Sequence, residues 1–179
     1  MFPKAHAAAY VISSLRVAWF KVYHPEAYYA AYFSVRADEF DYAVMCQPHA
    51  KITAMREELG SNFHSITDRE QKVYYILELV EEMYLRGISF LPMDIEKSLA
   101  RRFQVVDKGL ILPALNTVPS ISTAMAQAIV EARQESPFKS HEDLMRRAGI
   151  GQSAVKGMAD LKILSHIPET AQLTLFDML

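Results

Sequence analysis

Apolar and small residues dominate the opening of the chain. From Ala7 to Phe20 only Ser13, Ser14 and Arg16 interrupt them. The run predicts a helix over 5–23, which His24-Pro25 stops because proline removes the amide and clashes with the preceding turn. Pro25 suits the first turn of a second helix over 25–31. Arg36-Ala37-Asp38 then forms a polar break, and Asp38 or Asp41 is placed to cap a short helix. Gln47-Pro48 separates that helix from another over 50–59. Thr67 and Glu70 have capping-box spacing. Behind them Val73, Ile76, Leu77, Val80, Met83 and Tyr84 recur at helical steps until Gly87 closes the helix after Arg86. Asp94 predicts one more helix over 94–101. The period then shortens: 103–106 and 110–112 flank Asp107-Lys108-Gly109, which reads as a three-residue hairpin loop with glycine in the left-handed position.

The composition narrows the class. Of 179 residues, 51% are hydrophobic and 22% charged, which excludes a disordered or collagen-like chain and leaves room for one domain or two small ones. Nineteen basic against 21 acidic residues give a net charge of -2, so any nucleic-acid site must be local rather than a global positive field. A single cysteine, Cys46, excludes an internal disulfide and a cysteine-rich zinc site, and fits a reducing cytoplasm. The opening run falls short of a membrane span, and no secretory signal precedes it. Its nearly uncharged surface is unusual for a free helix and predicts a larger body around it. The acidic pairs Glu57-Glu58 and Glu81-Glu82 read as solvated helix faces, and the cluster Tyr28, Tyr29, Tyr32 and Phe33 as core.

Two later segments share a grammar. Val118-Pro119-Ser120-Ile121-Ser122-Thr123 and Arg147-Ala148-Gly149-Ile150-Gly151-Gln152 each place an isoleucine between two small residues, just before a helix. Pro137-Phe138 turns the chain between them. This arrangement resembles a tandem helix-hairpin-helix unit. In such a unit the hairpin presents backbone N–H groups at a helix N-terminus, where the dipole already favours an anion, and small residues let a DNA phosphate approach. The isoleucine anchors the turn in the core. The expected DNA contacts are Ser120, Ser122 and Thr123 in the first copy and Gly149, Gly151, Gln152, Ser153 and Lys156 in the second. Serines replace both glycines of the first copy. Their hydroxyls can donate to phosphate, but serine resists positive φ, so the second copy is the stronger phosphate site.

Near the end, Gln172-Leu173-Thr174-Leu175-Phe176 resembles the pentapeptide by which bacterial replication proteins dock on the sliding clamp. By that resemblance Gln172 meets a polar pocket edge, Leu175 and Phe176 fill an apolar pocket, and Leu173 a shallower one.

Lys4-Ala5-His6, Arg16-Val17-Ala18-Trp19-Phe20-Lys21 and His24-Pro25-Glu26-Ala27-Tyr28-Tyr29-Ala30-Ala31-Tyr32-Phe33 resemble the fingers region of bacterial C-family replicative polymerases. Together with Arg36-Ala37-Asp38-Glu39-Phe40-Asp41, the wording resembles that of the PolC-type alpha subunits of DNA polymerase III. The resemblance implies a mainly α chain: end of the fingers with a short β-hairpin (1–112), tandem helix-hairpin-helix (113–165) and a flexible clamp-binding tail (166–179). It further implies a C-terminal fragment of a longer polymerase. Lys4 and His6, and less directly Arg16, would face the incoming dNTP, while primer-template duplex DNA and the sliding clamp are the other partners. The palm carboxylates and their Mg2+ ions would lie upstream, leaving this piece with no catalytic residue, metal ligand or cofactor and no polymerase activity of its own. The alternatives are a stand-alone helix-hairpin-helix accessory module and a purely structural helical interaction domain.

Overall fold

A computed structural model describes residues 3–36 and 39–170. Among them the chain forms eight α-helices and three short strands, mainly helical as the sequence predicts. The first helix, α1 (Lys4–Tyr23), ends at His24, and Pro25 opens α2 (Pro25–Val35). α2 runs four residues past the expected 31. Its last turn is fixed by Ser34, whose Oγ donates to the Ala30 carbonyl (2.6 Å) and accepts the Phe103 amide (2.9 Å). Asp41 caps the single turn α3 (Tyr42–Met45) by accepting the amides of Ala43 and Val44. α4 (His49–Ser61) packs on α5 (Asp68–Leu85), whose Thr67–Glu70 capping box is fully formed.

These helices enclose a first core that includes Tyr29, Phe33, Ile52, Leu77, Val80 and Met83, all fully buried. Tyr29 and Phe33 are therefore core residues, as expected. Glu81 and Glu82 are not solvated faces, and that reading is corrected. Glu81 accepts the Thr53 hydroxyl (2.8 Å) and pairs with Arg56, joining α5 to α4. Glu82 pairs with Lys21 (2.6 Å) and Arg86 (2.9 Å), joining α5 to the end of α1. Partial burial pushes the Glu82 carboxyl up, but the Lys21 and Arg86 hydrogen bonds hold it below the usual range.

β1 (Ser89–Phe90), β2 (Gln104–Asp107) and β3 (Leu110–Leu112) make one sheet in the order β1-β3-β2. β2 and β3 are the expected antiparallel hairpin, with Gly109 at φ 73°. Asp107 is the last residue of β2, so the loop is two residues long. β1 adds a parallel pair beside β3; a two-residue strand carries no alternation that a sequence pattern could expose.

The helix expected over 94–101 is absent. Asp94 does start a turn, taking the Glu96 amide on Oδ1 (2.8 Å) and the Ser98 amide on its carbonyl (2.7 Å). The carbonyls that would continue a helix are taken elsewhere: Ile95 and Lys97 by Arg133, Leu99 by the Leu115 amide and Ala100 by the Asn116 amide. The segment 91–102 is thus a strap. It lays Met93, Ile95 and Ala100 into a second core with Leu115, Ile129, Leu144 and Met158.

That second core is built by a 3-10 turn (Leu115–Thr117), α6 (Thr123–Glu135), α7 (His141–Ala148) and α8 (Gln152–Asp160). The chain stays anchored beyond the 166 at which a flexible tail is expected to begin. Ile167 is buried, and the Pro168 and Glu169 carbonyls accept the His141 and Glu142 amides of α7.

Candidate nucleic-acid interface

The second hairpin is the clearer of the two. Ser140 caps α7 by accepting the Asp143 amide (3.1 Å), and α7 ends at Gly149, whose φ of 63° is the left-handed turn that glycine adopts freely. Ile150 is buried, anchoring the turn. Gly151 then starts α8 with no side-chain cap. The first-turn amides of any helix lack intrahelical acceptors, so α8 presents unspent donors at the positive end of its dipole. A Cβ placed on Gly151 would meet nothing within 4 Å, and Gln152 and Ser153 are exposed beside it. Lys156, one turn on, is exposed as well. Such a helix start receives a phosphate through backbone donors and a point charge.

The first hairpin is arranged differently. Ile121 is buried and its amide closes the turn onto the Val118 carbonyl (2.9 Å). Ser122 caps α6, its Oγ accepting the Met125 amide (3.2 Å), so one first-turn donor is already used. Thr123, the first residue of α6, accepts from the Asn116 side-chain amide (3.4 Å). Ser120 corrects an expectation: its hydroxyl does not face outward to a phosphate. The Oγ is buried without a hydrogen-bond partner, and lies 2.3 Å from where a Cβ on Gly157 would sit. Hairpin one therefore rests directly on the backbone of α8, and only a glycine at 157 allows that approach. No left-handed residue is needed there; among the described residues the only non-glycine with positive φ is Lys162.

α7 is basic at its end, yet its arginines are engaged internally. Arg147 donates to the carbonyls of Ser136 (3.0 Å) and Ala132, pairs with Asp143 (3.3 Å), and stacks over the Phe138 ring at 4.9 Å. Arg146 pairs with Asp143 at 2.6 Å. The Lys139 amide, then Arg147 and Arg146, hold the Asp143 carboxyl below the usual carboxylate range.

The residues matched to the fingers lie on α1. Lys4 and His6 stand in its exposed first turn, the His6 ring edge-on to Tyr10 at 4.5 Å. Arg16 is exposed too, but 12 positions beyond Lys4 puts it about 18 Å along the helix, so the three do not form one cluster. Gln172, Leu173, Leu175 and Phe176 lie outside the described residues. Among the described residues no group of three or more His, Cys, Asp or Glu could hold a metal ion. No described helix is long and apolar enough to cross a membrane. Sequence reasoning missed Gly157, although a glycine inside a helix is itself a signal of close backbone approach.

Two buried isoleucine hairpins, each delivering the chain into a helix over a shared core, define a helix-hairpin-helix protein. The family model for the helix-hairpin-helix motif matches residues 87–172, taking in the strap and the β-hairpin as well as both turns. The chain is 42% identical over 178 residues to the PolC-type DNA polymerase III of Staphylococcus epidermidis, and 40% identical to those of Staphylococcus haemolyticus and Staphylococcus aureus. The match covers 99% of this chain, which belongs to the PolC-type DNA polymerase III family as the counterpart of one segment of it. It spans about 12% of the length of those relatives.

Proposed function

We propose that this chain is the duplex-holding part of a replicative DNA polymerase and grips the DNA backbone chiefly through its second hairpin. The observation that carries this reading is the start of α8: an uncapped helix N-terminus, an open face at Gly151 and an exposed Lys156 one turn away. Backbone amides meet phosphates, which are alike in every sequence, so the grip is independent of base order. In this reading 1–112 serves the nucleotide side, with Lys4, His6 and Arg16 approaching the triphosphate of an incoming dNTP, and 113–165 serves the duplex. Gln172, Leu173, Leu175 and Phe176 dock on the sliding clamp. Nucleotidyl transfer belongs to the metal-binding carboxylates of a polymerase, and the chain alone is inactive in primer extension. The setting is the bacterial cytoplasm.

Fluorescence anisotropy of a labelled duplex tests the central point. Gly151→Val projects a side chain into the space a phosphate would occupy, and is expected to raise Kd about tenfold, equivalent to about 1.4 kcal/mol. Unchanged affinity in a folded Gly151→Val protein contradicts the reading. For the tail, deleting residues 172–176 abolishes binding to a cognate clamp. Undiminished clamp affinity after that deletion refutes the docking peptide.

A further inference from the structure

We propose that Arg101 and Arg102 form a second set of duplex-backbone contacts, placed by the strap beside the first hairpin. The inference rests on the duplex-binding reading above and adds two residues to it. Both arginines are exposed, and among the described residues neither has a hydrogen-bond or ion-pair partner. They are nevertheless held in place by the backbone on either side. The Ala100 carbonyl accepts the Asn116 amide at 3.0 Å. The Phe103 amide donates to Ser34 at 2.9 Å, and the Phe103 ring is buried. Two residues pinned at both flanks lose little further backbone freedom on binding.

Their position follows from the same bonds. Asn116, which the strap grips through its main chain, reaches with its side chain to Thr123, the first residue of α6 behind hairpin one. Two hydrogen-bonded steps therefore connect Arg101 to the helix start at which the first hairpin would meet DNA. The strap is tied to α6 again by Arg133, which donates to the Ile95 carbonyl at 2.6 Å. Hairpin one needs such help. It has no glycine, its Ser120 hydroxyl is turned into the protein, and Ser122 already uses one amide of the α6 first turn. Several other cations of this half are engaged: Lys97 by Asp94, Arg146 and Arg147 by Asp143, Arg133 by the strap. Arg101 and Arg102 stand unpaired on a chain whose net charge is -2. A guanidinium fork matches two oxygens of a phosphodiester, so the partner that fits is a nucleic-acid backbone.

The test uses the whole 179-residue chain and a labelled DNA duplex titrated over a range of salt. In Arg101→Gln/Arg102→Gln the slope of log K against log salt becomes shallower by about 0.9 for each phosphate released, up to about 1.8 for two. Arg101→Lys/Arg102→Lys keeps most of the slope. Lys51→Gln, which removes a charge from α4 on the other core, leaves it unchanged. Both arginines are exposed, and an unchanged thermal melt confirms the fold. An unaltered slope in the glutamine variant, in a protein whose binding Gly151→Val still weakens, overturns this inference and leaves the duplex reading standing. Absence of salt-dependent duplex binding by the unmodified chain overturns both.

Discussion

Gly149 and Gly151 stand one residue apart and serve different ends. Gly149 has φ 63°, where a Cβ is strained whatever the space around it, while Gly151 has φ -80°, which any residue adopts. Neither would bring a Cβ within 4 Å of another group. Gly149→Val is therefore expected to lower stability by about 1–3 kcal/mol through backbone strain, and Gly151→Val by much less. For DNA affinity the expected order is reversed: Gly151→Val should lose binding while keeping its fold. Chemical denaturation and duplex titration of the two variants side by side separate the roles; equal stability losses would refute the distinction. Gly157 is a third case. A methyl group there would lie 2.9 Å from the Ser120 Cβ, which no rotation of Ser120 relieves. Gly157→Ala is expected to destabilise by about 1–3 kcal/mol, as overpacking does, despite the better helix propensity of alanine. A thermal melt at or above that of the unmodified protein would contradict the close packing of hairpin one on α8.

At the scale of elements, α7 is held by Asp143, which binds both its own arginines and the turn before it. The folded carboxyl titrates below the ordinary value of about 3.9, so its contribution is complete above that value and is lost as the pH falls through the folded one. Asp143→Asn is expected to lower the melting temperature at pH 6 and to shrink the gap between melts at pH 6 and pH 3. An undiminished gap would mean that other carboxylates carry the acid sensitivity. The helices themselves were largely legible. Proline at 25, the Thr67–Glu70 box and the periodic apolar face of α5 are local signals, and local bonds decide them. The strap was not legible, because Asp94 starts a turn like any helix cap, and what ends it lies far along the chain in Arg133, Leu115 and Asn116. The two hairpins were visible as small-Ile-small repeats. That Ser120 turns inward depends on Gly157, a contact across 37 positions that spacing within the hairpin cannot reveal.

Across the whole molecule the two halves differ in how complete they are. The second core gathers buried residues from the strap, hairpin one, α6, α7, α8 and the segment after it. α1 is not closed at all: it buries no residue, and Tyr10, Leu15, Val22 and Tyr23 are each more than 60% exposed. So many exposed apolar side chains on one helix mark a surface suited to packing against another. The relatives that the chain matches are far longer than it is. Removing residues 1–20 is accordingly expected to leave the melting temperature of the remainder within a few degrees, since Lys21 and its pairing to Glu82 are kept. A collapse of the fold on that truncation would show that α1 supports the first core.

In the proposed role the chain holds duplex DNA by the phosphate backbone alone, at a handful of phosphates. The measurement that bears on it most directly is duplex affinity as a function of salt for two duplexes of equal length and unrelated sequence. Parallel lines with slopes of about -2 to -4 are expected, each phosphate contributing about -0.9, with equal affinities for the two sequences at every salt concentration. Affinity that ignores salt, or that differs tenfold between the two sequences, would contradict it.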